Sequence, residues 1–380
     1  MTPPPYTVRF SSEPALEGLF QDLLAAGQTR RDLDQGFASI DYSRVRGGAS
    51  QGASDRSLDS AELFQRITAV SGLASAYRRF AGEALPWEPG PDAATQAALR
   101  AFDQDIAAWR AANALPSGTN LDLARHIFAY VTDPRGLNLS VRHNLPERNF
   151  DETLANLGGD CTEFTKVLMT ILRRAGFEAF PVWVGEDSRG DRVQHIATGI
   201  RVGGRTLLLD PVYGAFDAQH RRTLRLSERE FLAWHWNHRA LDQWNVSAAA
   251  AQGLFQRALW MDPANPHILL NRGLWHRDGR QDNAAARMDF EAALRADPRF
   301  AEAHYELGNM EYDAGRYPEA ATRYAQALAL HSGDSRYRRN LILAQCRLGN
   351  LPEARRQLDL LVLQDPHAEG LARLRRLLGS

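Results

Sequence analysis

From Ser247 onward the chain repeats itself, and the repeat limits what its C-terminal third can fold into. Asp262-Pro263, Asp297-Pro298 and Asp365-Pro366 stand 35 and then 68 residues apart, and 68 is two units of 34. His331-Ser332 occupies the intermediate position. Each unit carries a related turn: GRQDNA at 279–284, GRYPEA at 315–320 and GNLPEA at 349–354. Ala320, Tyr324 and Ala327 align with Ala354, Leu358 and Leu361, always 34 apart. A period in this range marks one supersecondary unit per repeat. No unit buries its apolar face alone, so neighbours stack into a continuous core. Three units are expected at roughly 264–298, 299–332 and 333–366, after the second helix of a partial unit over 247–261 and before a capping helix over 371–378.

The pattern resembles the tetratricopeptide repeat, a 34-residue helix–turn–helix with small residues at helix contacts and Pro near the unit end. Leu307-Gly308 fits its early Leu-Gly position, whereas Leu341-Ile342 departs from it. The resemblance implies an all-α superhelix over 247–380 with a protein or peptide partner on its concave surface. Cys346 falls in the first helix of the third unit and reads as core. Arg338, Arg339, Arg355 and Arg356 are interleaved with acidic residues and read as a solvated face.

Composition excludes several classes. The formal net charge is -1 over 380 residues, which gives no electrostatic footprint for nucleic acid. No run of about 18 apolar residues is present, so no membrane span is expected. The opening MTPPPYTVRFSSEP lacks the profile of a secretory signal, and a cytoplasmic location is the expectation. Two cysteines, Cys161 and Cys346, supply neither a disulfide framework nor a C-x-x-C metal motif. No cofactor is implied. Lys166 is the only lysine among 45 basic residues.

Residues 1–118 read as a helical N-terminal region with no recognisable motif. Helices are expected at 16–26, 61–81 and 93–112, with an exposed Gly/Ser/Arg loop at 42–60 and a turn at 85–94. From Asn120 the pattern sharpens. A helix at 121–131 stops near Asp133-Pro134. The segment NLGGDCTEFTKVLMTILRRAGFEA then places Phe164, Leu168, Ile171, Leu172 and Ala175 on one helical face. Asp160 and Glu163 have capping-box spacing, and Gly176 closes the helix. Strands are expected at 179–184, 193–202 and 205–210, the last two joined at Gly203-Gly204. One helix followed by an antiparallel meander is an α+β pattern. Residues 216–246, rich in Trp and His, read as a helical bridge. His235 and His238 stand at i, i+3, but no neighbouring ligand completes a metal set.

Three residues have the chemistry of a nucleophile, a base and an orienter. Cys161 opens a helix, where the dipole and free N–H groups favour a thiolate. His195 lies on a strand and Asp210 at the end of the next. Neighbouring antiparallel strands can present the last two side by side. A histidine held by a carboxylate is what a thiol needs to lose its proton. Asp160 and Glu163 work against this, because their charges raise the pKa of a nearby thiolate.

The segment GGDCTEFTKVLMTILRRAGFEAFPVWVG, followed by QHIATGIRVGGRTLLLDPVYG, resembles the core of the transglutaminase-like superfamily, a branch of the papain-like cysteine hydrolase fold. Cys161, Arg173 to Gly176, His195 and Asp210-Pro211 match its motif places, while Ile196-Ala197 departs from the residues that follow the family's histidine. The resemblance spans 119–215. It implies a Cys161–His195–Asp210 triad and acyl transfer, with hydrolysis of a peptide or protein amide preferred. Trp183 is expected in the sheet core or lining the cleft. Two other readings stand beside this: a catalytically silent scaffold working as an adaptor through its repeats, and a transamidase that crosslinks proteins.

Overall fold

The computed structural model describes residues 84–115, 117–142 and 146–379. The helices expected at 16–26 and 61–81 and the loop at 42–60 lie outside the described residues. Within them the chain divides into two compact units, one running to Asp242 with Trp260–Asp262 added, the other made of Gln243–Leu259 and Pro263 onward.

The first unit is α+β. Helices α1 (Ala93–Ala112) and α2 (Leu121–Thr132) are opened by Asp92 and Asn120, whose side chains accept from Thr95 and Leu123 N–H at 2.9 and 2.8 Å. Each cap satisfies a donor that the first turn leaves unpaired. The parallel pair β1 (Ser140–Val141) and β2 (Gly158–Gly159) brackets the short helix α3 (Phe150–Ala155). Helix α4 (Cys161–Arg174) follows. The Asp160 side chain accepts from Thr162 N–H, and Glu163 accepts from Asp160 N–H at 2.9 Å, so both arms of the capping box form. Phe164, Val167, Leu168, Met169, Ile171 and Leu172 are fully buried. The helix ends at Gly176, whose φ of +95° a side chain would resist, while Gly176 and Phe177 N–H groups bond back into the last turn.

Helix α4 packs on a five-stranded antiparallel sheet of order β6-β5-β4-β3-β7. Its strands are β3 (Glu178–Glu186), β4 (Arg192–Val202), β5 (Arg205–Asp210), β6 (Ala215–Phe216) and β7 (Arg222–Arg225). Trp183 pairs with Ile196 on one side and Leu224 on the other, half-buried, its ring over Gly185. The sequence expectation for 216–246 needs correction. That stretch is not only a helical bridge: β7 extends the sheet along β3, and α5 (Glu228–Asp242) completes the core of the first unit. The signal for β7 is weak because RTLR is exposed at all four positions, as an edge strand with polar side chains is. Phe231 of α5 stacks on Trp87 with ring centroids 5.3 Å apart.

The second unit is all helical: α6 (Ala248–Met261), α7 (Pro266–Leu274) continued by a π-turn over Trp275–Gly279, α8 (Asn283–Ala296), α9 (Ala301–Asp313), α10 (Tyr317–Leu330), α11 (Ser335–Arg347), α12 (Leu351–Gln364) and α13 (Leu371–Leu378). The 34-residue alignment has a packing cause. Ala286, Phe290 and Ala293, then Ala320, Tyr324 and Ala327, then Ala354, Leu358 and Leu361 are all buried on the second helix of a pair. The ring of Phe290 faces Gly273 and that of Tyr324 faces Gly308. In the third pair Ile342 takes the glycine's place and joins the core that holds Leu358. The departure from Leu-Gly is therefore a volume exchange: a glycine opposite a ring becomes an isoleucine opposite a leucine. None of the described helices is long and apolar enough to cross a membrane.

A Cβ at Gly308 would sit 2.7 Å from the Tyr324 ring. Gly308→Val is expected to destabilise the chain by about 1–3 kcal/mol through overpacking. Urea denaturation checks this, and an unchanged midpoint would show that the ring can yield.

Candidate functional site

Cys161 is the first residue of α4 and is half-buried. The Ile196 backbone N–H of β4, one residue on from His195, eases the ionisation of the thiol. Thr165 Oγ1, one turn on, reaches the Ile196 carbonyl at 3.4 Å and ties α4 to β4. Burial and then the Asp160 charge push the thiol well above its ordinary value, with Glu147 and Glu163 adding to the shift and the Ile196 N–H opposing it. The capping carboxylates thus stabilise the helix and disfavour the thiolate at once.

His195 is buried in β4 opposite Val184, and Asp210 ends β5 with 1% exposure. His195 Nε2 lies 2.7 Å from Asp210 Oδ2. Nε2 therefore carries the hydrogen in this contact and the Nδ1 edge is left for other partners. The same carboxylate oxygen meets a second imidazole, His220 Nε2, at 2.9 Å. The Tyr213 N–H donates to the other oxygen at 3.3 Å. Burial raises the Asp210 carboxyl, but hydrogen bonds from His195 and His220 and the positive charge available on His195 outweigh it, so the pKa falls below the ordinary range. The partly exposed Tyr213 ring packs edge-on against both imidazoles, at 5.2 and 5.4 Å. His220 sits in the connection between β6 and β7, where no spacing or periodicity singles it out in the sequence. His195, Asp210 and His220 offer three ligand-type atoms within 4.8 Å of one another, but each imidazole is already engaged by the carboxylate.

Behind α4 lies a second polar cluster. Lys166 and Glu147 are both fully buried and form an ion pair, and the Lys166 ammonium also donates to the Arg148 carbonyl. Thr162 Oγ1 donates to Glu147 at 2.7 Å. His235 and His238 of α5 reach the same carboxylate at 3.0 and 3.3 Å. The i, i+3 histidines thus meet a carboxylate that no local spacing could reveal, but one whose charge Lys166 already neutralises. Arg148 N–H donates to Glu163, and Glu147 N–H to Asp242, so the loop before α3 is tied to both α4 and α5. Burial opposes the charge on Glu147, yet Lys166 and the two imidazoles hold it well below the carboxylate range. Glu163 is pushed up to about 9 by burial and the Glu147 charge.

Burial and the nearby Lys166 charge lower His235 to about 4, from 6.5. A depressed folded-state pKa contributes stability that is complete above 6.5 and is lost as pH falls toward about 4. Burial lowers His238, but the Glu147 hydrogen bond and charge outweigh it and raise its pKa, so it has the opposite sign and loses its contribution as pH rises above 6.5. His235→Gln is therefore expected to lose less stability than the parent between pH 6.5 and 4 in urea titrations. Parallel curves would remove His235 from the pH response.

In the second unit, side chains largely from the first helices of the pairs surround a pocket of about 320 Å³. Asn309 Oδ1 accepts from Tyr324 Oη and from Asn340 Nδ2, both at 2.9 Å, and Asn309 Nδ2 donates to Glu306 at 3.0 Å. Asn340 Nδ2 also donates to Tyr305 Oη at 3.1 Å.

Two family models, both described as tetratricopeptide repeat, match residues 275–322 and 311–378. No curated protein matches the chain. Among solved structures, pilF of Pseudomonas aeruginosa is 19% identical with a TM-score of 0.36, over 40% of this chain and 70% of that one. YrrB, described as a TPR protein with an unusual peptide-binding site, is 23% identical with a TM-score of 0.34, over 39% and 74%. A thermophilic TPR protein of Thermus thermophilus is 21% identical with a TM-score of 0.32, over 40% and 81%. The family models fall on the helix pairs whose packing repeats every 34 residues, and the C-terminal part of this chain consists of tetratricopeptide repeats.

Proposed function

We propose that this protein is a protein-binding adaptor that recruits a partner through its tetratricopeptide repeats. The observation that carries this is the run of matched repeats over 275–378 with a polar, tyrosine-lined pocket largely on their first helices. Stacked helical repeats present extended surfaces suited to peptides and proteins. In this reading residues 119–215 form a transglutaminase-like scaffold without turnover. The raised thiol pKa of Cys161 and the acidic groups around it favour that assignment. The test is affinity capture with the full chain beside an Asn309→Ala/Asn340→Ala variant of unchanged melting temperature. A partner held by the parent and released by the variant supports the reading. Retention by both would place binding elsewhere.

A second reading is favoured by one contact, His195 Nε2 at 2.7 Å from Asp210 Oδ2 beside the Cys161 helix. This is the pair an acyl-transfer enzyme requires. His195 would take the thiol proton on Nδ1, and the Cys161 sulfur would attack an amide carbonyl. The proton would pass to the leaving amine, and Asp210 would hold the imidazolium. The Cys161 backbone N–H would contribute one oxyanion donor, worth about 3–4 kcal/mol. Water would release the acyl group as an acid, and an amine acceptor would make it an amide. His220 would keep Asp210 aimed at His195. On this reading iodoacetamide labels Cys161 near neutral pH in a Cys346→Ser background, and His195→Ala moves the labelling to higher pH. Labelling that sets in only at high pH and ignores His195 would leave the silent scaffold.

A further inference from the structure

The pocket on the repeats is chemically one-sided. It is lined by Tyr305, Tyr312, Tyr324, Asn309, Asn340, Asp313 and Leu343, with Arg277. The exposed Asp313 side chain makes no hydrogen bond or ion pair with the described residues. The pocket's one cation, Arg277, is held by Asp278 at 2.6 and 3.0 Å and by Glu306, so it is more than neutralised before any ligand arrives. Arg347 stands outside the lining, with Nε on Tyr312 Oη at 3.2 Å and its guanidinium over the Tyr317 ring. Arg336, whose guanidinium lies 6.0 Å from the Tyr305 ring centroid, is paired with Asp334 at 2.7 Å. The two amides differ in what they have left. Asn309 spends its oxygen on two donors and its nitrogen on Glu306, whereas the Asn340 nitrogen is used and its oxygen meets no donor among the described residues.

An exposed carboxylate, an amide oxygen and ring faces together suit a cation on an apolar stem. The ammonium or guanidinium gains a charge partner and acceptors, while its methylenes lie along the tyrosines. A volume of about 320 Å³ accepts one or two side chains of a segment. We infer that this pocket reads a lysine or arginine side chain on the peptide segment that the repeats recruit. The inference rests on the adaptor reading and adds the chemistry of the partner. An acidic segment would instead place a carboxylate against Asp313, with Arg277 already engaged, and like charges at close range count against the wrong partner.

The experiment is selection of a random-peptide display library on the full-length protein, repeated with Asp313→Lys. Enrichment of Lys or Arg at one position, lost or exchanged for Asp or Glu in the variant, is the expected result. A synthesised winner should bind about tenfold more weakly to Asp313→Asn, and its Lys/Arg→Gln counterpart should lose a similar factor on the parent, as one contact of about 1.4 kcal/mol would give. Peptides enriched without a basic preference, or with a preference that Asp313→Lys leaves unchanged, overturn this inference and leave the adaptor reading standing. No enrichment on the parent overturns both.

Discussion

The α+β unit depends on one buried charge pair. Lys166, the only lysine in the chain, and Glu147 are sequestered together, and removing either partner of such a pair typically costs about 3–5 kcal/mol. The pair is expensive to bury, and the geometry around it repays the cost. Thr162, His235 and His238 meet the carboxylate, and the Arg148 carbonyl accepts from the ammonium. Those contacts come from three chain segments far apart in sequence. They hold the loop before α3, the first turns of α4 and the helix α5 in one arrangement, and Cys161 sits at the front of that arrangement.

The site on the other side of α4 shares this economy of carboxylates. Asp210 serves two imidazoles with one oxygen, and Glu163 caps α4 with one oxygen and the Arg148 N–H with the other. The helix that carries the thiol is well built because acidic groups crowd its N-terminus, and the same crowding makes the thiol harder to ionise. Helix stability and nucleophile activation pull in opposite directions at Cys161.

The repeats obey a simpler rule. Every pair needs about the same summed volume between its helices, so a ring on the second helix demands a glycine on the first, and a leucine permits an isoleucine. That exchange explains why Leu341-Ile342 departs from the expected Leu-Gly while Ile342 and Leu358 remain buried. Sequence periodicity detects the units because alanines at helix contacts recur. It misses the π-turn at Trp275–Gly279, whose residues differ in no periodic way from those of an α-helix.

The sequence by itself determined the elements with strong local signals: the capped cysteine helix, the Gly203-Gly204 hairpin, the 34-residue helix pairs, and the chain order of Cys161, His195 and Asp210. Each is written in short-range pattern, where 3.6-residue periodicity, caps and turn residues act on neighbours. Only the tertiary structure decided that β7 extends the sheet and that His220 joins Asp210. It alone placed Glu147 between Lys166 and the two histidines of α5, and left Asp313 without an ion pair among the described residues. Those outcomes depend on groups 10 to 91 residues apart meeting in space, and on which of several possible partners each charge finds first.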